Sequence, residues 1–99
     1  MRPLDDLKKQ LDLLKPVLEK EFQVETIGIF GSYSQSRQNK RSDLDILVTF
    51  QEPNDIDIID FITLKQFLSR KLKVKVDLVQ KDAIKNRIKD RILQETIYV

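Results

Sequence analysis

The chain contains no cysteine and no histidine. Disulfides, zinc fingers and cysteine- or histidine-based catalysis are therefore excluded. Any metal must be held by oxygen, which points to magnesium or manganese. No apolar stretch approaches the roughly 20 residues of a membrane span, and Met1-Arg2-Pro3 leads into a charged helical pattern, not the apolar core of a signal peptide. The net charge is only +2, too small for a bulk electrostatic case for nucleic-acid binding. What remains, 99 residues with 40% hydrophobic and 34% charged, fits one ordinary globular domain spanning residues 1–99. The lack of cysteine suits a cytoplasmic protein.

Hydrophobic periodicity orders the chain as helix, strand, helix, strand, helix, strand, helix. Leu4, Leu7, Leu11, Leu14 and Leu18 recur at three- and four-residue steps, an amphipathic pattern. Pro16 interrupts it. Because proline costs about 3 kcal/mol in a helix interior but is tolerated in a first turn, two short helices are expected, with Pro16 opening the second. Glu25 to Phe30 reads as a first strand, and Gly31-Ser32 closes it, with a short helix expected to start there. Residues 36–42 form a polar, basic loop. Asp43 to Phe50 is a second strand. Ile58, Ile59, Phe61, Ile62, Leu64, Phe67, Leu68 and Leu72 make an apolar helix capped by Asn54 or Asp55, and Ile59, Ile62 and Phe67 are expected in the core. Lys73 to Gln80 alternates cleanly, with Val74, Val76 and Leu78 on one face and Lys73, Lys75 and Asp77 on the other. Residues 82–95 are expected as a last helix with Ile84, Ile88 and Ile92 on one stripe. The fold class is α/β (α+β): a small mixed sheet of about three strands flanked by helices.

The chemistry gathers where Gly31-Ser32 is followed by ten residues and then Asp43-Leu44-Asp45. Residues i and i+2 of a strand point the same way, so Asp43 and Asp45 project side by side. Two carboxylates about 4 Å apart repel by roughly 4 kcal/mol at an effective dielectric near 20, and a divalent cation between them reverses the sign. Asp77 completes a three-carboxylate cluster if its strand is adjacent. Gly31 permits a tight turn with close backbone approach to a ligand, and Ser32 at a helix start offers amides and a hydroxyl to a phosphate. Two metals about 3.5–4 Å apart are a recurrent device for in-line displacement at phosphorus. Each part alone is weak. With eleven aspartates, one Asp-x-Asp is expected by chance, and Asp55-Ile56-Asp57 is a second that reads as helix-start charge. Gly-Ser alone is usually a turn, and Asp77 alone a solvated strand charge. The joint pattern is specific.

At these residues the chain resembles the minimal nucleotidyltransferases, the MNT-type domains of the DNA polymerase beta superfamily. Their signature is Gly-Ser, a fixed spacer, Asp-x-Asp and a third carboxylate on a later strand. It stands here as Gly31-Ser32, Asp43-x-Asp45 and Asp77, within Ile29-Phe30-Gly31-Ser32-Tyr33 and Ser42-Asp43-Leu44-Asp45-Ile46-Leu47-Val48. The ending, Arg91-Ile92-Leu93 through Tyr98, is similar too. The resemblance implies a polymerase beta-like nucleotidyltransferase fold and transfer of AMP from ATP to a hydroxyl, with Mg2+ (two ions, or Mn2+) as cofactor. Asp43, Asp45 and Asp77 would be the catalytic and metal-binding residues, Asp77 also helping to activate the acceptor. Gly31 and Ser32 would bind the nucleotide. It further implies a partner, a HEPN-domain toxin modified on tyrosine, with this chain as antitoxin in a hetero-oligomer. The family often has a basic residue and then glycine where this chain has Gln35 and Ser36; Arg37, Lys40 and Arg41 are the nearby positive charges. Two other functions stay open: an antitoxin that neutralises by binding alone through its first or last helix, and addition of nucleotides to an RNA end, using the basic Lys81, Lys85, Arg87, Lys89 and Arg91.

Overall fold

The computed structural model describes residues 3–35, 37 and 43–99. The basic loop expected at 36–42 therefore lies, apart from Arg37, outside the described residues. The elements run α1 (Leu4–Phe22), β1 (Val24–Phe30), β2 (Leu44–Phe50), α2 (Ile58–Leu72), β3 (Val76–Gln80), a 3-10 turn (Lys81–Ala83), α3 (Asn86–Glu95) and β4 (Ile97–Tyr98). The mixed sheet has the order β3-β2-β1-β4. β1 is antiparallel to β2 and β4, and β2 is parallel to β3.

Pro16 lies inside one continuous helix instead of opening a second. The stripe is buried on both sides of it, Leu7 and Leu11 before and Leu18 after, all 0% exposed. A break at residue 16 would pull one half off the sheet, so packing overrides the lost backbone hydrogen bond. Gln23 ends α1 in the left-handed region, its N–H donating to the Leu18 carbonyl. The cap of α2 is Asp57, not Asn54 or Asp55: Asp57 and Asp60 form a reciprocal capping box. Asn54 instead spans the preceding turn, donating to the Gln51 carbonyl and accepting from the Ile56 N–H.

Alternation along β2 decides which face the site occupies. Leu44, Ile46, Val48 and Phe50 turn towards α1 and α2 and join the main core with Ile27, Ile29, Leu64, Leu68 and Leu72. Asp45, Leu47 and Thr49 turn the other way. There Leu47 packs with Phe30 and Ile84, against Val79, Ile92 and Leu93. This second face is covered by the 3-10 turn and α3, which replace the single helix expected over 82–95. β3 begins at Val76, so Lys73 to Lys75 are not part of the strand; Lys73 ends α2 with φ 56°. The expectation that Ile59 and Ile62 are core residues is overturned: they are 69% and 46% exposed, and Ile58 is 70% exposed. Three turns of α2 supply enough apolar surface for the core through Leu64, Leu68 and Leu72, and the first turn stands clear of it. Phe67 is partly buried against the core, as expected.

Candidate active site

β2 and β3 run parallel with Asp45 directly beside Asp77, and β1 ends with Phe30 beside Asp45. The two carboxylates thus leave adjacent strands at one level, on the α3 face. Asp43 sits just before β2, and the Leu44 N–H donates to the Lys75 carbonyl at 2.8 Å, closing the start of the β2–β3 pair. Lys75 Nζ lies 4.0 Å from Asp43 Oδ2, with both side chains well exposed, a loose pair worth little.

Gly31 follows β1 with φ +72°. Its Cα is pressed against the Asp45 carboxylate, so a Cβ there would collide with Oδ2. Glycine is required twice over, by the backbone region and by that contact. Residues 31–35 form a turn and not the helix start expected for Ser32. The Gln35 N–H and the Ser34 hydroxyl both donate to the Gly31 carbonyl (3.1 and 2.9 Å), and the Arg37 N–H donates to the Ser32 carbonyl at 2.8 Å. Tyr33, 3% exposed, anchors the turn in the main core. Without a helix here, no helix dipole favours an anion at Ser32; the turn has only its own amides and hydroxyls to offer a phosphate.

Asp45 is the electrostatic centre. Its carboxyl is raised from the ordinary 3.8 to about 6, first by burial, then by the charges of Asp77 and Asp43, a hydrogen bond with Asp77, and the charge of Glu95. Two carboxylates in contact resist ionising together, so Asp45 gives up its proton later than an ordinary aspartate does. Among the described residues no three carboxylates close into a ready-made metal cage; the tight contact is the Asp45–Asp77 pair, with Asp43 and Glu95 acting from further out. Nothing in the hydrophobic pattern of the sequence singles out Glu95. The signal lies in β4, where Ile97 pairs with Ile29 and Tyr98 with Gly28. Continuing that register puts Glu95 across from Gly31.

The nucleotidyltransferase-domain family model matches residues 11–99. A solved structure described as a candidate minimal nucleotidyltransferase superposes with a TM-score of 0.80 at 27% identity, covering 97% of this chain and 95% of that one. The chain is a minimal nucleotidyltransferase. Over their full lengths this nucleotidyltransferase is 37% identical to the protein adenylyltransferase MntA of Thermococcus cleftensis (100% of this chain, 98% of that one). It is 43% identical over 100% of both chains to a candidate protein adenylyltransferase of Methanocaldococcus jannaschii. It is also similar to a chain in a crystal structure of a toxin–antitoxin with AMP-PNP, with a TM-score of 0.71 at 28% identity, covering 93% of this chain and 70% of that one. The expected polymerase beta-like architecture holds, with a fourth short strand, β4, added to the three expected.

Proposed function

We propose that this nucleotidyltransferase transfers AMP from ATP to a tyrosine hydroxyl of a HEPN-domain toxin and so acts as its antitoxin. The observation that carries the reading is the Asp45–Asp77 pair held across β2 and β3 against the Gly31 turn. Relatives named as protein adenylyltransferases and the likeness to a toxin–antitoxin structure with AMP-PNP support it. The acceptor oxygen attacks the α-phosphorus of ATP. The new O–P bond forms as the bond to the β-phosphate oxygen breaks, pyrophosphate leaves with that electron pair, and the hydroxyl proton passes to Asp77. The Gly31-Ser32 turn holds the triphosphate.

Asp45 and Asp77, in contact across β2 and β3, would hold a hard divalent cation, with Asp43 joining them from the start of β2: every donor is a carboxylate oxygen, and the proton that Asp45 retains up to about pH 6 marks a place where positive charge is favoured. When bound, Mg2+ or Mn2+ neutralises charge building on the phosphates and the leaving pyrophosphate. The chain's own residues then hold the nucleotide, position the acceptor and receive its proton. ATP as substrate puts the reaction in the cytoplasm.

Incubation with labelled ATP, magnesium and a co-encoded HEPN protein should label that protein. Transfer that survives unchanged in Asp43→Asn and Asp45→Asn overturns the assigned site. A second reading, neutralisation by binding alone, draws on the exposed Ile58, Ile59 and Ile62. Full neutralisation of the toxin by an Asp43/Asp45 double variant selects it.

A further inference from the structure

We infer that the acceptor is presented as an extended segment added to the outer edge of β3, apolar on one side of the acceptor residue and acidic on the other. This deepens, and rests on, the proposed protein adenylylation. β3 is an edge strand. In a parallel pair alternate residues bond the neighbour. The Lys75 carbonyl faces β2, so Asp77 and Val79 bond inwards and the backbone groups of Val76, Leu78 and Gln80 face out. The outward Val76 N–H is closed by the Ser69 hydroxyl at 3.1 Å. Beyond it, among the described residues, the outward groups of Leu78 and Gln80 are left to a newcomer. Edges of this kind are usually blunted by charge, proline or a covering element. This one instead borders a mainly apolar groove of about 430 Å³, its lining including Ile56, Ile58, Phe61, Leu78 and Ala83, with Asp57 the one charged residue in it.

Three features of this edge select its occupant. Asp77 lies on the same strand, one residue before Leu78, so a residue opposite Asp77 in an added strand projects beside the reactive carboxylates. Its neighbour in the added strand faces α2 and enters the apolar groove, where Ile58 is 70% exposed. Towards the start of β3 the same side of α2 turns basic: Lys65, Arg70, Lys73 and Lys75 surround a shallow depression of about 570 Å³. Apolar side chains on one flank of the acceptor and carboxylates on the other complement this edge, in the manner of β-strand addition.

The test uses synthetic peptides with a central tyrosine, isoleucine on one flank and two aspartates on the other, in both chain orders, against a shuffled set. With labelled ATP and magnesium, the intact protein should label one patterned order at least tenfold faster than the shuffled set. N-methylation of the backbone beside the isoleucine should lower the rate about tenfold, the equivalent of one or two hydrogen bonds. Ile58→Asp should remove the preference for isoleucine, and Lys65→Glu with Arg70→Glu the preference for aspartate, both leaving nucleotide binding unchanged. Equal labelling of patterned and shuffled peptides, or indifference to N-methylation, overturns the docking edge while leaving adenylylation standing. No labelling of any tyrosine peptide while the HEPN protein is labelled overturns the docking edge alone, and no labelling of either while ATP still binds overturns both. A dimer in light scattering that Ile58→Asp dissociates assigns the edge to a second copy and overturns the proposal.

Discussion

Asp45→Asn should stabilise the protein at neutral pH while abolishing transfer. In the unfolded chain Asp45 ionises at its ordinary 3.8; in the fold it keeps its proton to about 6. Between these values the folded state binds the extra proton. The stability linked to this group is therefore complete below about pH 4 and is lost as pH rises through about 6. At pH 7 the ionised carboxylate, set against Asp77, Asp43 and Glu95, is a net cost to the fold. Asparagine matches the shape, can donate to Asp77 and carries no charge. A full displacement is worth about 1.4 kcal/mol per pH unit. Asp45 is only half-buried and solvent screens its neighbours, which brings the gain to roughly 1 kcal/mol. In a domain of this size that is about 4–8 °C in Tm.

The assay is thermal unfolding in EDTA at pH 7 and pH 4.5, repeated with magnesium. The Asn variant should melt above the wild type at pH 7, and the gap should close at pH 4.5, where wild-type Asp45 is protonated. Magnesium should raise the wild-type Tm at pH 7 and leave the variant almost unmoved, because the cation removes the repulsion that the substitution has already removed. A variant that melts below the wild type at pH 7, or a gap that widens on acidification, refutes the electrostatic account of the site.

Gly31→Ala should lower Tm by several degrees, since a left-handed backbone costs a residue with a Cβ about 1–2 kcal/mol, and the Asp45 carboxylate must also move; calorimetry should show magnesium affinity falling as well, and an unchanged affinity would dissociate the turn from the proposed metal ligands. Glu95→Gln should lower the pH at which Asp45 titrates, followed by its carboxyl carbon shift in NMR without divalent cation, and a midpoint that stays at about 6 would remove Glu95 from the site. Pro16→Ala should raise Tm, because the helix is already continuous there and alanine restores the backbone donor; a lower Tm would show that proline's limit on the unfolded chain outweighs the missing bond.

The parts of the site legible in the sequence are those fixed by strand alternation and one glycine. Asp45 lies between Leu44 and Ile46 and Asp77 between Val76 and Leu78, so their faces follow from the pattern alone, whereas Asp43 stands just before β2 and outside its alternation. Pro16 misled because its local penalty is visible in sequence, whereas the compensating burial of Leu7, Leu11 and Leu18 exists only once α1 lies on the sheet. Ile59 and Ile62 misled for the opposite reason: hydropathy reports that a side chain is apolar, not that the helix turn carrying it extends past the core. β4 is two residues long, too short for any periodicity, and forms because Gly28 admits a close neighbour; a Cβ there would lie 2.6 Å from Thr96 Cγ2. Glu95 owes its place to that pairing and was hidden with it.

The Asp45–Asp77 pair is held by apolar side chains that take no part in chemistry. A slip of one residue between β2 and β3 would turn Asp77 into the core and Leu78 out of it. Leu44, Ile46 and Val76 are 0% exposed and Leu78 is 6% exposed, so that slip would expose several large side chains, each worth about 1.5–3 kcal/mol when buried. Repulsion between the carboxylates, cut by solvent to about 1 kcal/mol, is far too weak to drive it. The core therefore holds two like charges together against their preference. That unrelieved repulsion is what a divalent cation would relieve in the proposed reaction, and the fold tolerates it because burial in the correct register outweighs it several-fold.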